Sequence, residues 1–272
     1  MSTTDGIKSD DSEFASILNK HLIFCLQETK GDVNLPDYKC LNKLRTGSRS
    51  GGLCIGVHKT LANNIKKIPV RSSDIQVIQV GINPEKKDEK LTIINVYDSP
   101  ENSSYKKKLK RNSEINSTLD DLLAFFNRHP NLQNCILVGD FNARTNDQNH
   151  ILMDEIHEDN CQTISSGPLD SNRISHDKVI NQRGRLFLDM LSCVNLTILN
   201  GNIVGDLLGE FTCQQYNGCS VVDYIAVTPY TLQNICTFQV LELTPYSDHR
   251  PCTCVLNISH CYTLSNKMLA SF

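Results

Sequence analysis

The residues able to do chemistry in this chain stand in short polar words that end or interrupt apolar runs. The strongest is Val138-Gly139-Asp140-Phe141-Asn142, in which a carboxylate and an amide emerge two residues apart. On an extended strand that spacing puts Asp140 and Asn142 on one side. A carboxylate there can bind a hard cation or take a proton from water, and the amide can donate to a phosphate oxygen. Taken alone, the word equally suits a turn in which Asp and Asn bond their own backbone. The same construction recurs at Gln27-Glu28-Thr29, Asn95-Val96-Tyr97, Val222-Asp223-Tyr224 and Ser247-Asp248-His249-Arg250-Pro251. In the last, His249 is a candidate for countering phosphate charge, and Asp223 is a candidate for holding its imidazole protonated. An isolated histidine is more often a structural hydrogen bonder, but His249 stands beside a carboxylate and is one of several such words.

Elements that must position these residues follow from periodicity. Short runs rich in β-branched residues predict strands over 22–26, 52–58, 75–82, 91–97, 135–138, 196–199, 221–227, 238–243 and 252–258. A helix is predicted over 114–128, where Ile115, Leu119, Leu122, Leu123 and Phe126 share a face, Ser113 offers a cap and Pro130 follows. Further helices are predicted over 185–193 and 12–19. The stretch 145–182 has weak periodicity and is rich in Asn, Asp, Ser and His, which reads as a long loop beside a site. With no repeat and no low-complexity linker, the pattern is that of a layered α/β domain with mixed sheets.

At 272 residues and 39% hydrophobic side chains the chain can bury a real core, and one domain is the expectation. No run approaches the ~20 apolar residues of a membrane span, and the opening Met1-Ser2-Thr3-Thr4-Asp5-Gly6 lacks secretory-signal character. The expected setting is intracellular, nuclear or cytoplasmic, not secreted and not membrane-bound. Twelve cysteines sit in apolar contexts such as Phe24-Cys25-Leu26 and read as small buried hydrophobes; no CxxC pair occurs, and Cys252 and Cys254 read as a core pair rather than a zinc site. A net charge of −3 excludes nucleic-acid binding through bulk positive charge. Local basic groups remain at Lys106-Lys107-Lys108 with Lys110 and Arg111, at Arg45 and Arg49, and at Arg173, Lys178, Arg183 and Arg185, with solvated surface as the alternative reading.

The ordered series Gln27-Glu28-Thr29, Asn95-Val96-Tyr97, Gly139-Asp140-Phe141-Asn142, Asp223-Tyr224 and Ser247-Asp248-His249 makes residues 22–256 similar to the endonuclease/exonuclease/phosphatase family. Within it, the words Gly139-Asp140-Phe141-Asn142-Ala143-Arg144, Leu199-Asn200-Gly201-Asn202 and Ser220-Val221-Val222-Asp223-Tyr224-Ile225 most resemble the apurinic-like endonuclease domains of non-LTR (LINE-type) retrotransposons, which nick target DNA. The resemblance implies a four-layer α/β sandwich, two packed mixed β-sheets flanked by helices. The domain is expected over 21–260, between an atypical segment 1–20 and a tail 261–272.

The activity implied is metal-dependent hydrolysis of DNA phosphodiesters with Mg²⁺, or Mn²⁺ in its place, RNA remaining open as a substrate. A phosphoester phosphatase and a non-catalytic binding module are the alternatives. Residue by residue, the resemblance implies that Glu28 ligates the metal, Tyr97 contacts the scissile phosphate, and Asp140 orients or deprotonates the attacking water. Asn142 then steadies the phosphate, His249 neutralises phosphoryl charge, Asp223 orients His249, and Asp248 supports the metal or its water shell. Arg144, Lys106, Lys107 and Lys108 are the expected contacts to a nucleic-acid backbone. The family pattern also begins with a strand carrying an Asn ahead of the Gln-Glu-Thr word. Here the first twenty residues hold only Asn19, in the expected 12–19 helix, so that strand is expected to be missing and activity impaired. No reverse transcriptase domain is expected in this chain.

Overall fold

Runs that are apolar at almost every position, such as 91–97 and 135–138, are satisfied only by a sheet covered on both faces. The structure, a computed structural model, describes residues 12–45, 51–82, 89–100, 102–111, 117–148, 173–257 and 268–271. In chain order its strands are β1 (Ile23–Gln27), β2 (Tyr38–Lys43), β3 (Leu53–His58), β4 (Ile65–Ile68), β5 (Ile75–Gly81), β6 (Lys90–Tyr97), β7 (Cys135–Asp140), β8 (Thr197–Ile198), β9 (Cys213–Gln215), β10 (Gly218–Ser220), β11 (Asp223–Val227), β12 (Ile235–Val240), β13 (Cys252–Leu256) and β14 (Met268–Ser271). The helices are α1 (Ser12–Leu18), α2 (Ser104–Arg111), α3 (Thr118–Arg128), α4 (Gln182–Cys193) and the short α5 (Pro229–Leu232).

Two six-stranded sheets result, ordered β12-β13-β14-β1-β3-β2 and β4-β5-β6-β7-β11-β8, with β9 and β10 as a separate hairpin. Both large sheets are mixed: β6 pairs parallel with β7, and β1 parallel with β14. Strand alternation then sorts the side chains into layers. Ile78, Ile93, Ile136 and Val138 of one sheet pack against Ile23, Cys25, Ile55 and Val57 of the other. The alternate residues Val77, Ile94, Val96 and Leu137 pack against Leu122, Phe125, Phe187 and Leu191 of α3 and α4. On the far side, Phe24, Leu26 and Cys54 meet Phe14 and Leu18 of α1. The order helix, sheet, sheet, helix is the four-layer sandwich that the family resemblance implied.

Differences from the sequence reading have local causes. Ser117, not Ser113, caps α3: its hydroxyl accepts from the Asp120 amide while Asp120 answers the Ser117 amide, a reciprocal box that fixes the first turn. Helix α4 starts three residues earlier than the expected 185, because the Asn181 side chain caps it by accepting from the Gly184 amide. The basic cluster at 106–111 lies on a helix, α2, and within the expected tail Met268–Ser271 is a strand inside a sheet. Residues 149–172 of the expected 145–182 loop, and Arg49, lie outside the described residues. Cys252 and Cys254 both enter the core between the sheets, and none of the described cysteines is in a disulfide. No described helix is long and apolar enough to cross a membrane.

One polar side chain sits where the two sheets meet. Asn95 is fully buried, donates to the carbonyls of Leu26 (3.1 Å) and Cys54 (3.3 Å), and accepts from Gln27 Nε2 at 2.6 Å. Replacing it with alanine leaves those partners unpaired inside the core. Asn95→Ala is expected to lower the unfolding free energy by about 2–3 kcal/mol, as read by urea denaturation. A loss below about 0.5 kcal/mol would show that the Asn95 hydrogen bonds contribute little to holding the sheets together.

Candidate active site

Strand register brings three of the polar words to one level. Tyr97 closes β6 and is the partner of Asp140, which closes β7; Asp140 is in turn the partner of Asp223, which opens β11. The row Tyr97, Asp140, Asp223 therefore crosses three neighbouring strands at one edge of the sheet. Close approach of the backbones is part of the arrangement, since a Cβ at Gly139 would collide with the main chain of Val96. Phe141, stacked on Phe187 with centroids 4.3 Å apart, anchors the chain as it leaves the strand.

The remaining words attach to this row through side chains. Asn142 turns the chain with a positive φ of 48° and aims its amide back at Asp140, 3.0 Å from each carboxylate oxygen, with the Asp98 carbonyl 3.1 Å away. His249 points Nδ1 at both oxygens of Asp223, at 2.8 and 3.0 Å. Glu28 follows β1 with φ at 55°, a conformation unfavourable for a residue with a Cβ, and its carboxylate accepts the Tyr97 hydroxyl proton. Asp248 is exposed, and its carboxylate accepts from Gln215 Nε2 at 2.7 Å.

Charge in the site is crowded. Burial and the neighbouring Asp223 charge raise the proton affinity of Asp140 well above the usual carboxylate range, only partly offset by His249 and the Asn142 amide. For His249, burial opposes the charged form, but the Asp223 charge and hydrogen bond outweigh it and push the imidazole up to about 12. An imidazolium cannot ligate a metal. Ligand atoms of Asp140, Asp223 and His249 lie within 4.8 Å of one another, a grouping in which only the carboxylates can then serve. With Glu28 exposed nearby, the donors are oxygens and the local charge is negative, which fits a hard divalent ion such as Mg²⁺.

Further residues position this row from behind it. The Thr212 hydroxyl accepts from the amides of Val222 and Asp223, and Asn200, fully buried, donates to the Asp223 carbonyl while accepting from the Ile225 amide. They act through backbone, so only the Leu199-Asn200-Gly201-Asn202 word hinted at one of them. Arg45 lies under Tyr97, its guanidinium 5.1 Å from that ring and 3.9 Å from Tyr105, and donates to Asp74 and Ser99 at 2.8 Å each.

The basic residues are placed differently from the expectation of open phosphate contacts. Arg144 makes a two-pronged pair with Asp177 at 2.7 and 2.6 Å, and Lys106 is buried on Asp98 at 2.7 Å. The carboxylate partners lie 33 residues from Arg144 and eight residues from Lys106, outside its helix, and sequence alone does not pair them. Lys107 is exposed, while the Lys108 side chain lies outside the described residues.

Residues 91–253, more than half of the chain, match the family model described as endonuclease-reverse transcriptase. The chain belongs to the endonuclease/exonuclease/phosphatase family. The matched stretch holds Tyr97, Asp140, Asn142, Asp223, Asp248 and His249, with Glu28 ahead of it. No curated protein matches the sequence. Among solved structures, this family member is similar to the endonuclease domain of TRAS1, a telomere-specific non-LTR retrotransposon, with 16% identity over 91% of each chain and a TM-score of 0.57. It is also similar to the AP endonuclease LMAP from Leishmania major, at 13% identity over 92% of this chain and 84% of that one, with a TM-score of 0.65. A third similar structure is the 3′ phosphatase NExo from Neisseria bound to product DNA hairpin, at 17% identity, 87% and 89% coverage and a TM-score of 0.57. At these identities the likeness is one of fold.

His249 binds its proton more tightly in the folded than in the unfolded chain, so its stabilising contribution is complete below about pH 6.5 and is lost as pH rises toward about 12. The imidazole is accordingly expected to stay doubly protonated through pH 9 in ¹⁵N NMR spectra. A titration midpoint near 6.5 would contradict the Asp223 pairing.

Proposed function

We propose that this chain is a Mg²⁺-dependent phosphodiesterase that nicks DNA. The observation that carries the reading is the single row of Tyr97, Asp140 and Asp223, to which Glu28, Asn142 and His249 are each joined by a side-chain hydrogen bond. In the proposed reaction Asp140 takes the proton of the attacking water, and its raised proton affinity suits a general base. Asn142 holds the carboxylate of Asp140 and fixes its direction. His249, kept charged by Asp223, faces the phosphoryl group as a fixed positive charge. The Tyr97 hydroxyl, which points at Glu28, donates to a phosphate oxygen once substrate is bound. Glu28 would hold the ion, and Asp248 would order its waters. When bound, Mg²⁺ supplies charge stabilisation to the phosphoryl and leaving oxygens. Exposed Lys107 is the proposed backbone contact on the DNA; Lys108 shares its helix.

A second reading, removal of terminal phosphate from DNA, is favoured by one observation, the similarity to a structure named as a 3′ phosphatase. The same donor set would serve it, and substrate choice separates the two.

Purified protein is expected to relax supercoiled plasmid with Mg²⁺ and not with EDTA. Glu28→Ala, Asp140→Asn and His249→Ala are each expected to lower the rate by at least about 100-fold. Nicking that survives Asp140→Asn would remove the proposed base. Release of inorganic phosphate from a 3′-phosphorylated hairpin, with intact plasmid, would favour the second reading.

A further inference from the structure

The two strands that lead to the proposed site from the first sheet do not pair with each other. β1 ends one residue before Glu28, and β13 begins three residues after His249. Between them lies β14, parallel to β1 and antiparallel to β13. Ser271 is the register partner of both Cys25 and Cys252, and Ala270 of both Phe24 and Thr253. Because β14 runs in the same direction as β1, its end advances toward the edge of the sheet where Glu28 emerges. Of the two strands beside β1, β3 follows it in sequence, whereas β14 comes from residues 268–271.

We propose that Met268–Ser271 is a C-terminal strand that docks into the slot between β1 and β13 and sets the separation of Glu28 from His249. The described links from Glu28 and His249 to the second sheet are side-chain contacts, to Tyr97 and Asp223, and the His249 backbone also bridges Cys213 of the β9–β10 hairpin. Removing a central strand changes the distance between its neighbours by about 4.8 Å if they close up. A misplacement of about 1 Å is already enough to lower a rate about 100-fold. It also leaves two rows of amides and carbonyls without partners inside a sheet. The docking part stands on backbone pairing; the catalytic part rests on the phosphodiesterase reading.

Hydrogen exchange on the full chain tests the docking directly. The amides of 269–271 are expected to exchange at least about 100-fold more slowly than a free chain, as in a strand paired on both sides. Exchange at free-chain rates would overturn the proposal whatever the activity. In Ala270→Pro, which removes one amide and fixes φ, the amides of 24–26 and 252–254 are expected to exchange at least about tenfold faster and plasmid nicking to fall at least about 100-fold. Ala270→Val, compatible with a strand, is expected to leave both unchanged. Wild-type nicking in Ala270→Pro despite loosened β1 and β13 would overturn the positioning role. Should Ala270→Pro fail to fold, the wild-type exchange rates still decide. Protected 269–271 amides in a chain that does not nick would sink the nuclease reading while supporting the docked strand.

Discussion

Two carboxylates, Asp140 and Asp223, are buried on adjacent strands at the same level of one sheet, and most of the site exists to make that tolerable. Like charges held this close in a poorly solvated environment destabilise the fold that holds them. One imidazolium, His249, is hydrogen-bonded to Asp223 and offsets the Asp140 charge through space, and the Asn142 amide covers both oxygens of Asp140. A single positive charge against two negative ones, with Glu28 close by, leaves a deficit that a divalent cation or a protonated carboxylate would fill.

Holding the pair in place requires rigidity that extends well beyond the site. The register of β7 with β11 is pinned by groups bonding to the Asp223 backbone from both sides, Thr212 and Asn200. Tyr97 is pinned through its amide on the Asp74 carbonyl and through Arg45 below its ring. Asn95 ties the same edge to the opposite sheet, so Gln27 and, one residue on, Glu28 arrive at a fixed height. Strain collects where the chain must turn into the site: Glu28 and Asn142 both have positive φ.

Much of this was legible in the sequence because each polar word breaks an apolar run. Asp140, Tyr97 and Asp223 are found by position alone, and the strands carrying them are apolar on both faces, so their assignment needs no long-range information. What stayed hidden depends on contacts between distant segments. Asp177 lies 33 residues from its partner Arg144, and the sequence gives no sign that the pair forms. Thr212 and Asn200 serve the backbone rather than a ligand, and such residues resemble any other loop polar group. The strand at Met268–Ser271 is four residues long, too short for periodicity, and its partner β1 lies at the other end of the chain. The helix α2 is masked by a composition that reads as a basic patch; on folding, Lys106 turns inward to Asp98.

Burial beside Asp223 stores electrostatic repulsion at Asp140, and the proposed metal ion would relieve it. A carboxylate with raised proton affinity in the folded state destabilises that state when ionised, so neutralising it should stabilise the chain. Thermal unfolding of the wild type and Asp140→Asn, each with Mg²⁺ or EDTA at pH 8, tests this without reference to catalysis. Asp140→Asn is expected to melt about 2–4 °C above the wild type in EDTA, a shift equivalent to roughly 1 kcal/mol, and Mg²⁺ is expected to raise only the wild-type midpoint. A lower midpoint for Asp140→Asn in EDTA, or an equal Mg²⁺ shift in both proteins, would contradict it.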